Sequence, residues 1–341
     1  MNILGLTCEE FMELDLGLPK FRYKQIFEGL HKGGQDYKDI TSLPLALREQ
    51  LAEDYPLPVV VLKEAYISEK DDTRKLILEL EDGNIVEAVL MSYRYGWTLC
   101  TPSQVGCAMG CTFCASTIGG LVRNLTRAEM LKIFYVASNY IGEISRVVFM
   151  GSGEPLHNYE EVLGYIRLLG QEEGRNLSMR NISLSTCGLV EGINRLAEEG
   201  LPITLTISLH APNDRVRQIT MPIARTTAMD DLLEAASNYQ NKTGRRVSIE
   251  YTLIEGLNNS LEHAKELGAR LKGKGFHVNL ISVNPLEERD FQAPERHAME
   301  IFKKELEASK INVTIRRELG SDISGSCGQL RNRYVELKKR S

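Results

Sequence analysis

No stretch of this 341-residue sequence approaches the roughly 18 consecutive apolar residues that a membrane-spanning helix needs. The opening residues, MNILGLTCEEFMELD, turn acidic early and lack a basic segment followed by an apolar one, so they do not read as a secretory signal. A positive excess is missing as well. The 41 Lys and Arg against 46 Asp and Glu give a formal net charge of −5. That excludes a globally basic nucleic-acid binder and leaves only local basic faces for such a partner. Low-complexity tracts and short fixed-period repeats are also lacking. These absences lead to the expectation of a cytoplasmic protein with no membrane partner. What is present, 43% apolar and 26% charged residues, is enough for a full-sized core. The length suits two domains, or one large one with an extension.

Residues 1 to about 58 pattern as helices. FRYKQIFEGL (21–30) places Phe21, Ile26, Phe27 and Leu30 toward one buried face, and LPLALREQLAEDYPLP (43–58) repeats the theme until Pro56 and Pro58 end it. VVVLKEAYIS (59–68), TRKLILELEDG (73–83) and NIVEAVLMSY (84–93) pattern as strands. Leu76, Leu78 and Leu80 alternate with Ile77 and Glu79, and Glu81-Asp82-Gly83-Asn84 is a turn. Residues 1–95 therefore read as a small N-terminal α+β accessory domain. Beyond it, strands near 98–105, 145–151, 181–187, 202–209, 246–253 and 276–283 alternate with helices. One helix opens on the capping-box pattern of Thr126 and Glu129, and another spans 293–308 with Pro294 in its first turn. INVTIRREL (311–319) suits a last strand before the C-terminal segment, 311–341. The fold class is α/β, with a parallel sheet over 96–310. Six β/α units suit a partly closed barrel as well as a doubly wound sheet. In either, chemistry gathers at the C-terminal ends of the strands, where CAMGCTFC, GSGEP, STCG, SLHAPND and NP fall.

The seven cysteines are an odd number and unevenly placed, which favours metal binding or catalysis over a disulfide framework. Cys107, Cys111 and Cys114 have the spacing C-x3-C-x2-C, and Cys100 stands seven residues upstream. A structural zinc site wants four closed ligands, yet no histidine lies between residues 32 and 156 and no second C-x2-C pair exists. The alternative is a four-iron, four-sulfur (4Fe–4S) cluster held by three thiolates, with one iron left open for S-adenosylmethionine.

C-x3-C-x2-C with Phe113 before its last cysteine resembles the radical S-adenosylmethionine superfamily. The wider text, TLCTPSQVGCAMGCTFCAST, FMGSGEPLHNY, SLSTCG, SLHAPND, HVNLISVNP and RRELGSDISGSCGQL, is similar to the RlmN/Cfr family of dual-specificity RNA methyltransferases through essentially the whole chain. The resemblance implies a partial (β/α)6 barrel with a catalytic C-terminal tail, a 4Fe–4S cluster on Cys107, Cys111 and Cys114, and S-adenosylmethionine, two molecules per turnover. It places cofactor contacts at Gly153 and Glu154 of GSGEP, where the family commonly has Met at the position of Ser152. Further contacts fall at Ser185, Ser208, Leu209, His210 and Asn284. Taken singly, a strand-end Ser or Asn is a turn residue and a lone His is structural.

In the resembling family the residue matching Cys327 is methylated first. A radical then removes hydrogen from that methyl, and the carbon adds to adenine, whose C2 and C8 are too poorly nucleophilic to attack a sulfonium. The residue matching Cys100 releases the product by attacking the sulfur of Cys327, leaving a transient disulfide. Glu87 matches a proton acceptor, although by itself it reads as a solvent-facing strand residue. Cys8 and Cys187 match no role. The implied partners are 23S ribosomal RNA, transfer RNA in some cases, and an electron donor such as flavodoxin, with the enzyme a monomer. FRYK (21–24) and RNRYVELKKRS (331–341) offer basic residues for RNA. C2 methylation leads. C8 methylation by the resistance branch, a small-molecule radical enzyme and a zinc-dependent RNA-binding protein are the rivals.

Overall fold

The structure is a computed structural model that describes residues 2–33, 36–286 and 288–330, so the basic run 331–341 lies outside the described residues. Among the described residues three α-helices precede the first strand: α1 (Cys8–Met12), α2 (Lys20–Glu28) and α3 (Leu45–Asp54). The strands are β1 (Val60–Ile67), β2 (Arg74–Leu80), β3 (Ile85–Tyr93), β4 (Gly96–Cys100), β5 (Gln104–Gly106), β6 (Leu121–Asn124), β7 (Ile144–Phe149), β8 (Ile182–Thr186), β9 (Thr204–Ser208), β10 (Ser248–Leu253), β11 (His277–Ser282) and β12 (Asn312–Ile315). Between the later strands run α4 (Arg127–Ile141), α5 (Tyr159–Gly170), α6 (Val190–Glu198), α7 (Asp214–Thr220), α8 (Met229–Thr243), α9 (Leu261–Leu271) and α10 (Arg296–Ala308).

Ten strands form one sheet in the order β1-β2-β3-β4-β7-β8-β9-β10-β11-β12, with β5 and β6 as a separate antiparallel pair. From β1 to β4 the pairing is antiparallel, and from β4 to β12 it is parallel. The parallel strands follow one another in chain order with no reversal. A doubly wound sheet would need a switch point, so this order makes the sheet a partial barrel.

Local chemistry accounts for the element ends. Thr126 accepts a hydrogen bond from the Glu129 N–H at 3.2 Å while the Glu129 carboxylate accepts from the Thr126 N–H at 2.9 Å, closing the capping box of α4. The strand expected over 98–105 breaks at Thr101–Ser103, because Pro102 has no N–H for the ladder. The helix expected from 293 starts at Arg296, with Pro294 ahead of its N-cap Glu295. The strand expected over 311–319 keeps only Asn312–Ile315. Phe21 is exposed rather than buried: Tyr23, Ile26, Phe27 and Leu30 share the inward stripe, and Phe21 lies off it beneath the Arg22 guanidinium.

One hydrophobic core runs from Ile3 to Ile311, fed by the N-terminal helices, the outer face of the sheet and the helices packed on it. The inner face is different. There Val89, Cys100 and Leu330 form a small separate cluster, because the segment after β12 folds back across the sheet.

Candidate active site

The loop between β5 and β6 carries the three closely spaced cysteines. Cys107, Cys111 and Cys114 line one cavity at the C-terminal ends of the parallel strands, together with Gly153, Glu154, Ser185, Ser208, His210 and Asn284. Among the described residues no group of three or more His, Cys, Asp or Glu is arranged to hold a single metal ion. The thiols instead surround a shared space. Backbone N–H groups of Met109 and Gly153 support the Cys107 sulfur, and those of Ser116 and Thr117 support the Cys114 sulfur. Such hydrogen bonds are what iron–sulfur ligands receive. Burial pushes the Cys107 thiol up to about 11 and raises Cys111 and Cys114 as well. As free thiols these three stay protonated at neutral pH, and a bound cationic cluster is what makes them thiolates. The residues present therefore fit a 4Fe–4S cluster held by three cysteines.

The GSGEP turn follows β7. Gly153 has φ of +106°, and a Cβ there would fall 2.7 Å from both Gln104 Cβ and Ser103 Oγ, so only glycine fits. Ser152 is absent from the cavity wall; its hydroxyl lies 3.1 Å from that of Ser116. The departure from the family pattern at this position thus faces away from the cofactor space. Glu154 is buried, and its carboxylate accepts the N–H groups of Leu156 at 3.0 Å and Cys187 at 2.8 Å. Burial raises its pKa, and those hydrogen bonds oppose the rise.

Ser185 and Ser208 end neighbouring strands with their hydroxyls 3.1 Å apart. His210 is buried with φ of +55°, and its Nδ1 accepts the Thr252 N–H at 3.0 Å. Its proton therefore sits on Nε2, which makes it a neutral donor. Burial pushes its pKa down to about 3, with the Arg217 cation adding to the effect. Leu209 is brought to the same rim, but its side chain belongs to the core and does not line the cavity. Asn284 donates from Nδ2 to the Cys327 carbonyl at 2.8 Å, tying the C-terminal segment to the rim.

A second cavity adjoins the first. Cys100 and Cys327 both line it, together with Val89, Met91, Tyr93, Arg316 and Leu330. Cys327 and Arg316 line both cavities. All seven cysteines are free thiols; Cys100 is buried and Cys327 exposed. Burial, then the neighbouring Cys327, pushes the Cys100 thiol up to about 12. Glu87 is buried on β3 with Lys75 Nζ 3.9 Å away. It shares a strand face with Val89, which pairs with Cys100, but it lines neither cavity.

The fold also brings here several residues to which the sequence assigned no role. Gln104 donates to Asn124 and accepts the Glu154 N–H at 2.9 Å, bracing the GSGEP turn. Arg316 is held by Glu250 at 3.2 Å. Cys187 joins Cys111 and Met221 in the cavity wall. Each lies in a motif shared with the resembling family, Gln104 in TLCTPSQVGCAMGCTFCAST, Cys187 in SLSTCG and Arg316 in RRELGSDISGSCGQL, but their contacts become visible only when strands distant in sequence pair.

Comparison with known proteins agrees with this geometry. The radical SAM superfamily model matches residues 101–268. A curated relative from Lachnoclostridium phytofermentans, "Probable dual-specificity RNA methyltransferase RlmN", is 49% identical over 98% of this chain and 96% of its own length. One of the same name from Symbiobacterium thermophilum is 48% identical over 96% of this chain and 91% of its own length. The crystal structure of a radical SAM methyltransferase from Sphaerobacter thermophilus superposes with a TM-score of 0.93 at 40% identity, covering 97% of this chain and 99% of that one. Together with the three-cysteine cavity, this likeness along almost the full length means that the chain belongs to the radical S-adenosylmethionine superfamily and, within it, to the RlmN/Cfr family of RNA methyltransferases.

Proposed function

We propose that this enzyme methylates C2 of an adenine in 23S ribosomal RNA, and C2 of the adenosine 3′ to the anticodon in some transfer RNAs, with the methyl group passing through Cys327. The observation that carries the reading is the placement of Cys327, which lines the cofactor cavity and the cavity of Cys100 at once.

Cys107, Cys111 and Cys114 hold the 4Fe–4S cluster, and Glu154, Ser185, Ser208, His210 and Asn284 orient S-adenosylmethionine beside it. Bound there, cluster and cofactor supply a carbon radical able to take a hydrogen atom from a methyl group. Cys327 does the carrying. Its sulfur accepts a methyl group by displacement from a first S-adenosylmethionine, and its methylene adds to the adenine once a hydrogen atom has been removed. The adduct radical must shed one electron, for which a bound cluster would be the acceptor, and the proton on adenine C2, for which Glu87 is the proposed acceptor. Cys100, having lost its proton, then attacks Cys327 sulfur; the S–C bond to the RNA breaks, its electron pair stays with the departing carbon, which takes up a proton and becomes the methyl group, and a Cys100–Cys327 disulfide remains for thiol reductants to reset. RNA is met by residues 1–95, where the exposed Phe21 with Arg22 over its ring offers a stacking and charged contact. The electron comes from a low-potential donor such as flavodoxin, and the enzyme acts as a monomer.

Mass spectrometry of digested 23S RNA after reaction tests the reading. Methylation at adenine C2 is expected; methylation at C8 would move the enzyme to the other branch of the family. Cys327→Ala should keep the cluster and lose RNA methylation entirely. Cys100→Ala should accumulate protein covalently joined to RNA on denaturing gels, and free protein alone would remove Cys100 from the resolving role.

A further inference from the structure

Arg217 is the largest fully buried side chain among the described residues, with 0% exposure, and it has no carboxylate within ion-pair distance there. It projects from α7 behind the wall that Cys111, Cys187 and Met221 form against the cofactor cavity. Nη2 donates to the Cys187 carbonyl at 2.6 Å and Nε to the Leu209 carbonyl at 3.2 Å. These carbonyls belong to the segments that follow β8 and β9, whose ends carry Ser185 and Ser208. The third nitrogen, Nη1, is buried with no hydrogen-bond partner among the described residues. Gly188 makes room for this fork: its φ is +110°, and a Cβ would fall 2.8 Å from Leu232 and 3.3 Å from Arg217 Nη2.

Two carbonyl bonds do not neutralise a guanidinium, and an unpaired buried cation is unfavourable unless something anionic stands near. Asp214 acts on it only at longer range, and its carboxylate already accepts the Met229 N–H. The other groups within its field are the Cys187 and Cys111 side chains, whose thiols burial keeps protonated until Cys111 ligates a cluster. Cys111 is one of the three cysteines that fit the cluster, and an iron–sulfur cluster gains negative charge on reduction. We propose that Arg217 is a positioning residue with a fixed charge: it clamps the ends of two rim segments and, through its permanent charge, raises the reduction potential of the cluster bound by Cys107, Cys111 and Cys114. Arginine suits the task because it stays protonated even when buried, and the apolar wall between it and the cavity leaves its field little screened.

This inference rests on the cluster occupying that cavity, and the experiment separates the two. Protein is reconstituted anaerobically with iron and sulfide, its iron is counted, and the cluster is titrated by electron paramagnetic resonance at defined potentials. Arg217→Met, with iron loading like the parent, should show about a tenfold smaller ratio of reduced to oxidised cluster at the parent's midpoint, about 59 mV lower for one electron. Arg217→Lys, which keeps the charge and loses the fork, should stay near the parent. Equal potentials in all three proteins, equal shifts in both variants, or loss of iron in both would each overturn the fixed-charge role. Absence of a 4Fe–4S signal from the parent itself would remove the cluster reading, and this inference with it.

Discussion

His31 shows what a single buried group does to the whole chain. It is 2% exposed, its Nδ1 lies 2.8 Å from the Tyr135 hydroxyl, and its Nε2 has no partner among the described residues. Burial pushes its pKa down to about 4. Above pH ~6.5 it is neutral in folded and unfolded chains alike. As pH falls below that value the unfolded chain takes up a proton first, while the folded one resists until about 4, so stability falls across this window. At 1.36 kcal/mol per pH unit the loss is of order 3 kcal/mol, and His210 adds to it in the same direction. His31→Gln should therefore show a decline in urea-unfolding free energy between pH 7 and 4.5 shallower by about 2 kcal/mol than the parent. Identical slopes would mean that the imidazole protonates without unfolding. Nothing in GLHKGG announced a buried histidine. By contrast, Cys107, Cys111 and Cys114 were legible because their spacing is covalent and survives any fold. Arg217 and Gln104 were not, because their partners arrive from strands far away in sequence.

Among elements, the segment that carries Cys327 owes its position to the turn between β1 and β2. Asp322 accepts hydrogen bonds from the Ser68 hydroxyl at 2.7 Å and the Glu69 N–H at 3.0 Å, and Asp71 accepts the Gly320 N–H at 2.9 Å. Farther along, Ser116 donates to the Leu330 carbonyl at 2.8 Å and Asn284 to that of Cys327. These polar ties supplement a small hydrophobic anchor, since among residues 316–330 only Leu319, Ser326 and Leu330 have buried side chains, and Leu330 packs on Val89 and Cys100. A segment fixed this way opens locally at low cost, which suits a thiol that must serve two cavities. Asp322→Ala should speed amide exchange over 320–330 several-fold while leaving β9 to β11 unchanged; unchanged exchange in that segment would show that the Asp322 bonds do not hold it. The strands themselves were readable from period-two alternation, and Pro102 marks where that reading overran a break. The clamp was not readable, because it joins residues about 250 positions apart and each of its members looks like an ordinary loop residue.

At the scale of the molecule, the β/α rhythm showed a parallel sheet but not its closure. Hydrophobic period tells which residues face inward, and it says nothing about which strand lies beside which. Pairing in chain order settles the matter as a partial barrel, and it also welds the antiparallel strands of the N-terminal third to the parallel ones. Leu90 on β3 and Leu99 on β4 pair directly and are both 0% exposed. Gly5, ahead of α1, packs so closely on α4 that a Cβ there would meet Arg127 at 3.1 Å. Ile3, Phe11, Leu78 and Leu90 belong to the same core cluster as Leu205 and Ile249. Each such buried side chain contributes roughly 1.5–3 kcal/mol, so separating the two stretches forfeits more than the ~5–15 kcal/mol by which a domain is ordinarily stable. The full chain should therefore unfold in one calorimetric transition. A chain beginning at residue 96 should fail to stay soluble, because it would present the bare edge of β4 and an uncovered apolar face. Two resolved transitions, or a soluble fragment with native circular dichroism, would show instead that the parallel barrel holds together without the antiparallel strands. The core would then be two clusters in contact, and the Leu90–Leu99 pair a seam between them.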